Sequence, residues 1–360
     1  MGSEIYKRYY ELPLSKDYVR HWGMPEAVRE IIQNALDSDS PFEYELDESE
    51  GVLRVHSRHT TLTPNTLLLG KTTKADRDDK IGSFGEGYKI ALLVLCRENY
   101  KVRVLNGDRI WKPGFVMSRI FQAEVLRIED HYAMQKNEGL TFEVAGLSAE
   151  DIQKIRASCL HMQSDVGQIM QTQYGRILLD LPGKLYVGGL FVCDTDLTYG
   201  YDVLPKYLRL ERDRQTVSGW DMKSITKEMW FDTKQYDQIA NLLAEKTPDL
   251  EYAEYGAPDL VKEACYRHFR EQHPGAVIAK DQQELERLVE SGMQRVIVIG
   301  GAYGSLVKES ASYASRVIVP VLSPHDQLEG WFEANKKRLL PSLQESFQII
   351  LEKSKRWRNS

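Results

Sequence analysis

The stretch Glu30-Ile31-Ile32-Gln33-Asn34-Ala35-Leu36-Asp37 carries the strongest structural signal in this chain of 360 residues. The surrounding residues 24–38 predict a helix, which turns by about 100° per residue. Glu30, Asn34 and Asp37 then fall on one side of this helix. The other side is apolar, formed by Val28, Ile31, Ile32, Ala35 and Leu36. The helix therefore presents a carboxylate, an amide and a second carboxylate along one stripe.

This polar stripe has two interpretations. It is either the solvated face of an amphipathic helix, which needs no function, or part of a binding site. In a site, a carboxylate can activate a water molecule, and an amide oxygen one turn away can hold a magnesium ion, because hard cations prefer oxygen ligands. A phosphate-binding segment elsewhere in the chain would favour the second interpretation.

Such a segment is Ile81-Gly82-Ser83-Phe84-Gly85-Glu86-Gly87-Tyr88-Lys89, which opens an apolar helix predicted over residues 85–97. Glycine lets the backbone approach a ligand closely, and a helix start directs free N–H groups at anions. The polar loop 70–80 precedes this segment where a Rossmann fingerprint requires an apolar strand. The segment therefore predicts a phosphate cradle of another type, although a simple helix cap or tight packing also explains such glycines.

Together the two stretches resemble the GHKL ATPase superfamily, which includes gyrase-type topoisomerases, the large heat-shock chaperone, histidine kinases, MutL-type repair proteins and MORC proteins. The Glu-x-x-x-Asn-x-x-Asp helix of that superfamily matches Glu30, Asn34 and Asp37. Its Gly-x-x-Gly-x-Gly motif matches Gly82, Gly85 and Gly87. The order and separation of the motifs also match, and the resemblance covers residues 20–150.

The resemblance implies an α+β fold, the Bergerat ATP-binding sandwich, followed by a small α/β transducer-like domain and a C-terminal α/β extension. It implies ATP and Mg²⁺ as ligands and a slow, magnesium-dependent ATPase that acts as a conformational switch. In that scheme Asn34 holds the metal, and Glu30 orients and deprotonates the attacking water. Asp37, the three glycines and Lys89 make the remaining nucleotide contacts.

One motif departs from the superfamily pattern. Its first glycine box, Asp-x-Gly-x-Gly, corresponds here to residues 57–61, where Ser57 replaces the adenine-reading aspartate and His59 and Thr61 replace the glycines. A neutral hydroxyl is a weaker acceptor than a carboxylate, so adenine should be discriminated less strongly. The alternative function is therefore a non-catalytic nucleotide-binding or protein-interaction module. Other candidate base readers, or merely solvated loop charges, are Asp76, Asp78 and Asp79.

Three domains are predicted: an ATP-binding domain over 1–180, a transducer-like domain over 181–272 and a C-terminal α/β unit over 273–360. A hairpin at residues 184–192, turning at paired glycines, resembles the strand pair of the transducer. In the third unit, the pattern predicts a strand, a helix and a parallel strand over 276–299.

The second domain also supplies a candidate arginine. Leu210-Glu211-Arg212-Asp213-Arg214-Gln215 resembles the chaperone segment that carries a phosphate-contacting arginine, which implies this role for Arg214. Arg212 is a competing candidate, and a surface ion-pair cluster is the alternative. An arginine so far from Asn34 reaches the same phosphate only after domain closure. In the related branches of the superfamily the closed lid also favours pairing of two ATPase domains, so the resemblance implies a nucleotide-dependent homodimer.

Charge and composition limit the partners. The net charge of −6 argues against a chain that coats nucleic acid over its whole surface. The last thirty residues hold seven Lys or Arg against three Glu and predict one or two helices. They could contact nucleic acid or a protein client, or simply lie in solvent. No apolar run is long enough to span a bilayer, and the four scattered cysteines favour the cytoplasm.

A histidine kinase is a further alternative within the resemblance. Upstream of the Glu30 helix, the sequence shows no helix-borne phosphoacceptor histidine followed by an acidic residue. This alternative is therefore disfavoured.

Overall fold

The computed structural model describes residues 8–38, 40–68, 86–208, 218–316 and 324–354. The chain forms two compact units, Met1–Ser218 (unit 1) and Gly219–Ser360 (unit 2). The described elements combine helices with mainly antiparallel sheets, so the predicted α+β class is confirmed. No helix within these residues has the length and apolar character that crossing a membrane requires.

A seven-stranded antiparallel sheet organises the first part of unit 1. In chain order, its strands and the adjoining helices are β1 (Arg8–Ser15), α1 (Met24–Leu36), β2 (Glu43–Asp47), β3 (Val52–Ser57), α2 (Gly87–Arg97), β4 (Lys101–Asn106), β5 (Arg109–Ser118), β6 (Ala123–Tyr132), β7 (Leu140–Ala145) and α3 (Ala149–Ser158). The strand order is β1-β6-β5-β4-β7-β3-β2. β7 thus lies between β3 and β4, the two strands that precede and follow α2 in the sequence.

The core of unit 1 forms where α1 and α2 pack against each other and against this sheet. Ile32 of α1 and Leu92 of α2 are fully buried. On β3, Leu53 and Val55 are buried while Arg54 between them is partly exposed. Because side chains alternate along a strand, the sheet has one apolar face under the helices and one charged outer face.

A five-stranded sheet follows in the same unit. Its strands are β8 (Ile169–Thr172), β9 (Gly175–Leu178), β10 (Lys184–Val187), β11 (Leu190–Asp194) and β12 (Gly200–Val203), in the order β11-β10-β12-β9-β8. β10 and β11 form the predicted hairpin, which turns at Gly188 and Gly189. The predicted domain boundary at residue 180 falls inside this sheet, because β12 pairs with β9 on one side and with β10 on the other.

Unit 2 is mainly helical in its described part. Its elements are α4 (Gly219–Asp232), α5 (Tyr236–Ala244), α6 (Asp259–Gln272), β13 (Val277–Ala279), α7 (Gln282–Glu290), β14 (Val296–Val298), α8 (Gly301–Glu309), α9 (Ala311–Arg316), α10 (Pro324–Asn335) and α11 (Pro341–Ser354). β13 and β14 pair in parallel with α7 between them, as predicted. The predicted boundary at residue 272 falls inside this unit, because α6 packs against both α5 and α8.

The C-terminal helices α10 and α11 pack through aromatic rings. The ring of Phe347 stacks on Phe332 at 5.2 Å and on Trp331 at 5.0 Å between centroids. His325 Nδ1 and Ser354 Oγ lie 2.7 Å apart and join the first turn of α10 to the last turn of α11. The prediction of helices in this basic region is confirmed as far as Ser354.

Candidate functional site

A capping interaction stabilises the start of α1, the helix that carries the predicted site. Glu26 Oε2 accepts a hydrogen bond from the backbone N–H of Gly23 at 2.9 Å, and Pro25 occupies the first turn. An acidic side chain at a helix start also interacts favourably with the helix dipole. Glu30 follows one turn later on a helix whose start is thus fixed.

The polar stripe of α1 is mostly buried. Glu30 is 0% exposed and Asp37 is 4% exposed, while Asn34 between them is half-buried. Amphipathic helices expose their charged side chains to water, because burying an ion is costly without compensating partners. The interpretation of this stripe as a solvated face is therefore wrong.

Asn34 has a fixed orientation within the stripe. Its Nδ2 donates a hydrogen bond to the backbone carbonyl of Glu30 at 2.7 Å. The amide nitrogen is thus used within the helix, and Oδ1 is the atom left to accept or to ligate. An oxygen presented in this way suits a hard divalent cation.

Arg29 is a buried neighbour of the stripe that sequence reasoning missed. It is 6% exposed, and its Nη2 lies 3.7 Å from Glu30 Oε1. Its Nη1 donates to the carbonyl of Phe191 in β11 at 3.0 Å. The one available signal was a charged residue on the flank of an otherwise apolar helix side, which does not by itself indicate burial.

The glycine segment is only partly described. Gly87 is the buried first residue of α2, whereas Gly82 and Gly85 lie outside the described residues. α2 packs directly against α1, so Gly87 at the start of α2 and the polar stripe belong to neighbouring helices. The structure thus brings together the two helices that carry the two sequence motifs.

Lys89, predicted to contact the nucleotide, is 0% exposed in the first turn of α2. Its Nζ donates to the backbone carbonyls of Thr66 and Leu68, at 3.0 and 2.5 Å. Burial lowers the pKa of this ammonium, and the charge of nearby Glu86 opposes that effect only in part. In its described contacts Lys89 joins α2 to the short helical turn at Pro64–Leu67, and its nucleotide contact stays a prediction.

Ser57, the predicted adenine reader, is the buried last residue of β3. It lies on the same side of the strand as Leu53 and Val55, and it pairs with Leu140 of β7. Gly139 adopts φ +83°, and a Cβ there would lie 2.4 Å from the Ser57 carbonyl oxygen. Only glycine permits this close approach.

His59 adopts a backbone conformation that favours glycine. Its φ is +63°, in the left-handed region, which costs a non-glycine residue about 1–2 kcal/mol. The unfavourable conformation falls at one of the two positions where the resemblance expects glycine.

Several predicted residues lie outside the described part of the chain. They are Arg214 and its competitor Arg212, and the loop residues Asp76, Asp78 and Asp79. Among the described residues, α1 contributes Glu30 and Asn34, and Asp37 caps its C-terminus. α1 contacts both α2 and β3, which carry Gly87, Lys89 and Ser57.

Comparison with known proteins gives no functional assignment. No family model matches the chain. A Mycoplasma pneumoniae protein, described as uncharacterized, is 24% identical over 229 residues, which represent 59% of this chain and 92% of the relative.

Proposed function

We propose that unit 1 is a magnesium-dependent, slowly hydrolysing ATPase of the GHKL type, with the site on the polar stripe of α1. The observation that carries the proposal is the complete burial of Glu30 on the same stripe as Asn34 and Asp37. A helix that served only packing would gain stability from an apolar residue at this position. Ionisable groups retained in buried positions are typical of functional sites.

The donor set fits Mg²⁺. Asn34 Oδ1 would hold the ion, because Nδ2 of the same amide is already engaged by the Glu30 carbonyl. A bound Mg²⁺ neutralises negative charge on the phosphate oxygens of the nucleotide.

Glu30 has the role of general base in this proposal. A carboxylate removed from bulk water is a better proton acceptor than the same group in solvent, because burial disfavours its charged form. The packing of α1 against α2 and β3 holds this carboxylate in place. Glu30 thus orients the attacking water and accepts its proton.

The remaining nucleotide contacts come from α2 and β3. Free N–H groups at the start of α2, beginning with Gly87, are suited to phosphate oxygens. Ser57 at the end of β3 reads the base, and Asp37 contributes a second carboxylate to the stripe. The positive φ of His59 supports this assignment, because it is a backbone conformation that favours glycine, the residue that the superfamily motif has at this position.

A non-catalytic nucleotide-binding module is the second candidate, and Ser57 favours it. Replacement of the charged base reader by a hydroxyl weakens recognition without removing the fold. The two candidates differ in turnover alone. Phosphate release and ATP binding should therefore be measured on the same full-length preparation, with Mg²⁺ and with a chelator.

Magnesium-dependent phosphate release supports the ATPase, and binding without release supports the module. If the intact protein binds no nucleotide in either condition, both candidates are wrong. A histidine kinase predicts transfer of labelled γ-phosphate to the protein itself, which the ATPase proposal does not.

We also propose that ATP favours closure and homodimerisation, with Arg214 on the terminal phosphate. Arg214 lies outside the described residues, so this step rests on the sequence resemblance. Sedimentation and small-angle scattering should show a tighter dimer with a nonhydrolysable ATP analogue than with ADP. Identical profiles in the two states would contradict it. A defect in Arg212→Ala but not in Arg214→Ala would assign the phosphate contact to Arg212.

The proposed compartment is the cytoplasm, where ATP is abundant and where thiols such as the four free cysteines stay reduced.

A further inference from the structure

Arg29 connects two parts of unit 1 through one buried guanidinium. Nη1 donates to the Phe191 carbonyl of β11 at 3.0 Å, and Nη2 lies 3.7 Å from Glu30 Oε1. The residues Arg29 and Phe191 are 162 positions apart in the chain. A single side chain therefore contacts both the five-stranded sheet and the carboxylate of the proposed site.

β11 is well placed to transmit a change in its sheet. It is an edge strand, and an edge presents carbonyl groups that need partners other than a neighbouring strand. Its start is also attached to the residues that follow α3. Leu190 and Cys159 form an isolated β-bridge, and the N–H of Leu160 donates to the carbonyl of Gly189 at 2.8 Å. Leu190 and Cys159 share the hydrophobic core with α1.

We propose that Arg29 is a positioning residue for Glu30, and that it transmits the position of β11 to this carboxylate. The inference rests on the proposed ATPase function and adds a regulatory connection to it. A general base acts only when it is held close to its productive geometry, so a displacement of about 1 Å at β11 is enough to alter turnover. The five-stranded sheet thus becomes the element through which movement elsewhere in the protein controls hydrolysis.

The chemistry of arginine fits this role better than that of lysine. A guanidinium is planar and carries separate nitrogen donors in a fixed fork, so Nη1 and Nη2 can serve different acceptors at once. A lysine ammonium is a compact charge on a flexible stem. At position 29 it could neutralise Glu30 or bind the Phe191 carbonyl, but it would not fix their separation.

The test measures kcat, KM and analogue binding in full-length Arg29→Met and Arg29→Lys. Arg29→Met should lower kcat by at least about tenfold, because the base loses its fixed orientation. KM and analogue affinity should stay near wild type, because Arg29 does not contact the nucleotide in this scheme. Arg29→Lys should recover only part of kcat.

The matched control is Arg97→Met. Arg97 is also a helix-borne arginine that donates to backbone carbonyls, those of Tyr18 and Trp22 among them, but it lies at the far end of α2 from Gly87. Its loss should lower the melting temperature and leave kcat unchanged. A fall in kcat of equal size in both variants would reduce Arg29 to a structural role and overturn the inference.

Chemical rescue provides a readout that a purely structural role does not give. A cleft of about 290 Å³ borders Arg29 and is lined also by Pro25, Ser158 and Phe191, so a small cation has access. Millimolar guanidinium should raise kcat of Arg29→Ala and leave wild type and Arg97→Ala unchanged. If guanidinium does not rescue Arg29→Ala, and this variant loses kcat and analogue affinity together, the role of Arg29 as a positioning residue is contradicted.

Stability gives a measurement that does not depend on turnover. Replacing Arg29 by Met removes a cation beside a buried carboxylate, so adding Glu30→Gln should raise the melting temperature of Arg29→Met. In the wild-type background the same change should not raise it. Additive effects would show that the two side chains do not interact and would overturn the inference.

The outcomes separate this inference from the proposed function. If wild type hydrolyses ATP, Glu30→Ala does not, and Arg29→Met behaves as wild type, only the role of Arg29 is wrong. If wild type fails to hydrolyse ATP, the proposed function fails first and the role of Arg29 fails with it.

Discussion

Two groups of charged residues in unit 1 differ in their relation to solvent. On the outer face of the seven-stranded sheet, Glu45, Arg54, Glu143 and Arg103 form a ladder in which each charge contacts an opposite one. Glu45 and Arg103 at its ends are largely exposed, and the buried Glu143 accepts hydrogen bonds from both Arg54 and Arg103. On α1, by contrast, Glu30 is fully buried beside Arg29.

The difference shows which charges require a functional explanation. Exposed paired charges lose little hydration, and two arginine hydrogen bonds compensate the burial of Glu143, so the ladder needs no role beyond stabilisation. Glu30 is completely buried, and the Nη2 atom of Arg29 lies 3.7 Å from its Oε1, so an apolar residue at this position would serve packing at least as well. We therefore base the proposal on the α1 stripe and treat the outer-face ladder as structural.

The largest expected effect concerns the buried carboxylate of the α1 stripe. Glu30→Ala should lower kcat for ATP by about 10²–10⁴-fold, the usual contribution of a general base, and leave nucleotide affinity within a few-fold. Glu26→Ala, on the same helix one turn earlier, should weaken the helix cap and retain turnover. Phosphate release and calorimetric binding check both variants. Unchanged hydrolysis in Glu30→Ala would remove Glu30 as the base.

The second prediction concerns metal-dependent binding. Asn34→Ala removes the proposed oxygen ligand, so affinity for the magnesium–nucleotide complex should fall by about tenfold or more. Binding without magnesium should change much less, because the phosphate and base contacts remain. Titration with and without a chelator measures the difference. An equal loss in both conditions would indicate a packing defect and would argue against a ligand role.

The third prediction tests the outer-face ladder through acid stability. Burial alone would raise the pKa of Glu143, but hydrogen bonds from Arg103 and Arg54 outweigh it and hold that pKa below the ordinary value of 4.5. A lowered pKa stabilises the fold above the unfolded-state value, and this stabilisation is lost as pH falls through the folded-state pKa. Glu143→Gln should therefore lose about 1–2 kcal/mol at neutral pH and show a flatter stability profile below pH 4.5.

Denaturant melts of wild type and Glu143→Gln across that pH range check this prediction, and ATP turnover should be unchanged at neutral pH. A loss of turnover in Glu143→Gln would contradict the proposal that the outer-face ladder is structural and only the α1 stripe is catalytic.

The smallest expected effect concerns the basic C-terminal residues. Lys336, Lys337 and Arg338 form a short helical turn before α11, and none of them is buried. Replacing all three by Ala should change stability by less than about 0.5 kcal/mol. If this region binds nucleic acid, affinity should fall steeply with salt and largely disappear on deletion of residues 331–360. Absence of salt-sensitive binding in the intact protein would leave it as a structural or protein-docking element.

Local patterns in the sequence predicted several elements correctly. The helices predicted over 24–38 and 85–97 correspond to α1 and α2, and the hairpin predicted over 184–192 corresponds to β10 and β11. These segments have strong apolar periodicity and clear turn residues, which depend only on nearby positions. β5 was missed, because Pro113 and Gly114 interrupt its pattern.

Longer-range features could not be predicted from such patterns. The insertion of β7 between β3 and β4 depends on pairing between distant segments. The burial of Arg29 depends on Phe191, which is 162 positions away in the sequence. In the same way, the stripe of α1 could be placed on one helix face, but its burial depends on the elements that pack over that face.

The most direct test of the central claim is a crystal structure of the full-length protein with Mg²⁺ and a nonhydrolysable ATP analogue. Our account predicts the ion on Asn34 Oδ1, the phosphates at the start of α2, the base near Ser57, and Glu30 facing the terminal phosphate across one water molecule. A nucleotide bound away from α1, or a metal held without Asn34, would contradict the account.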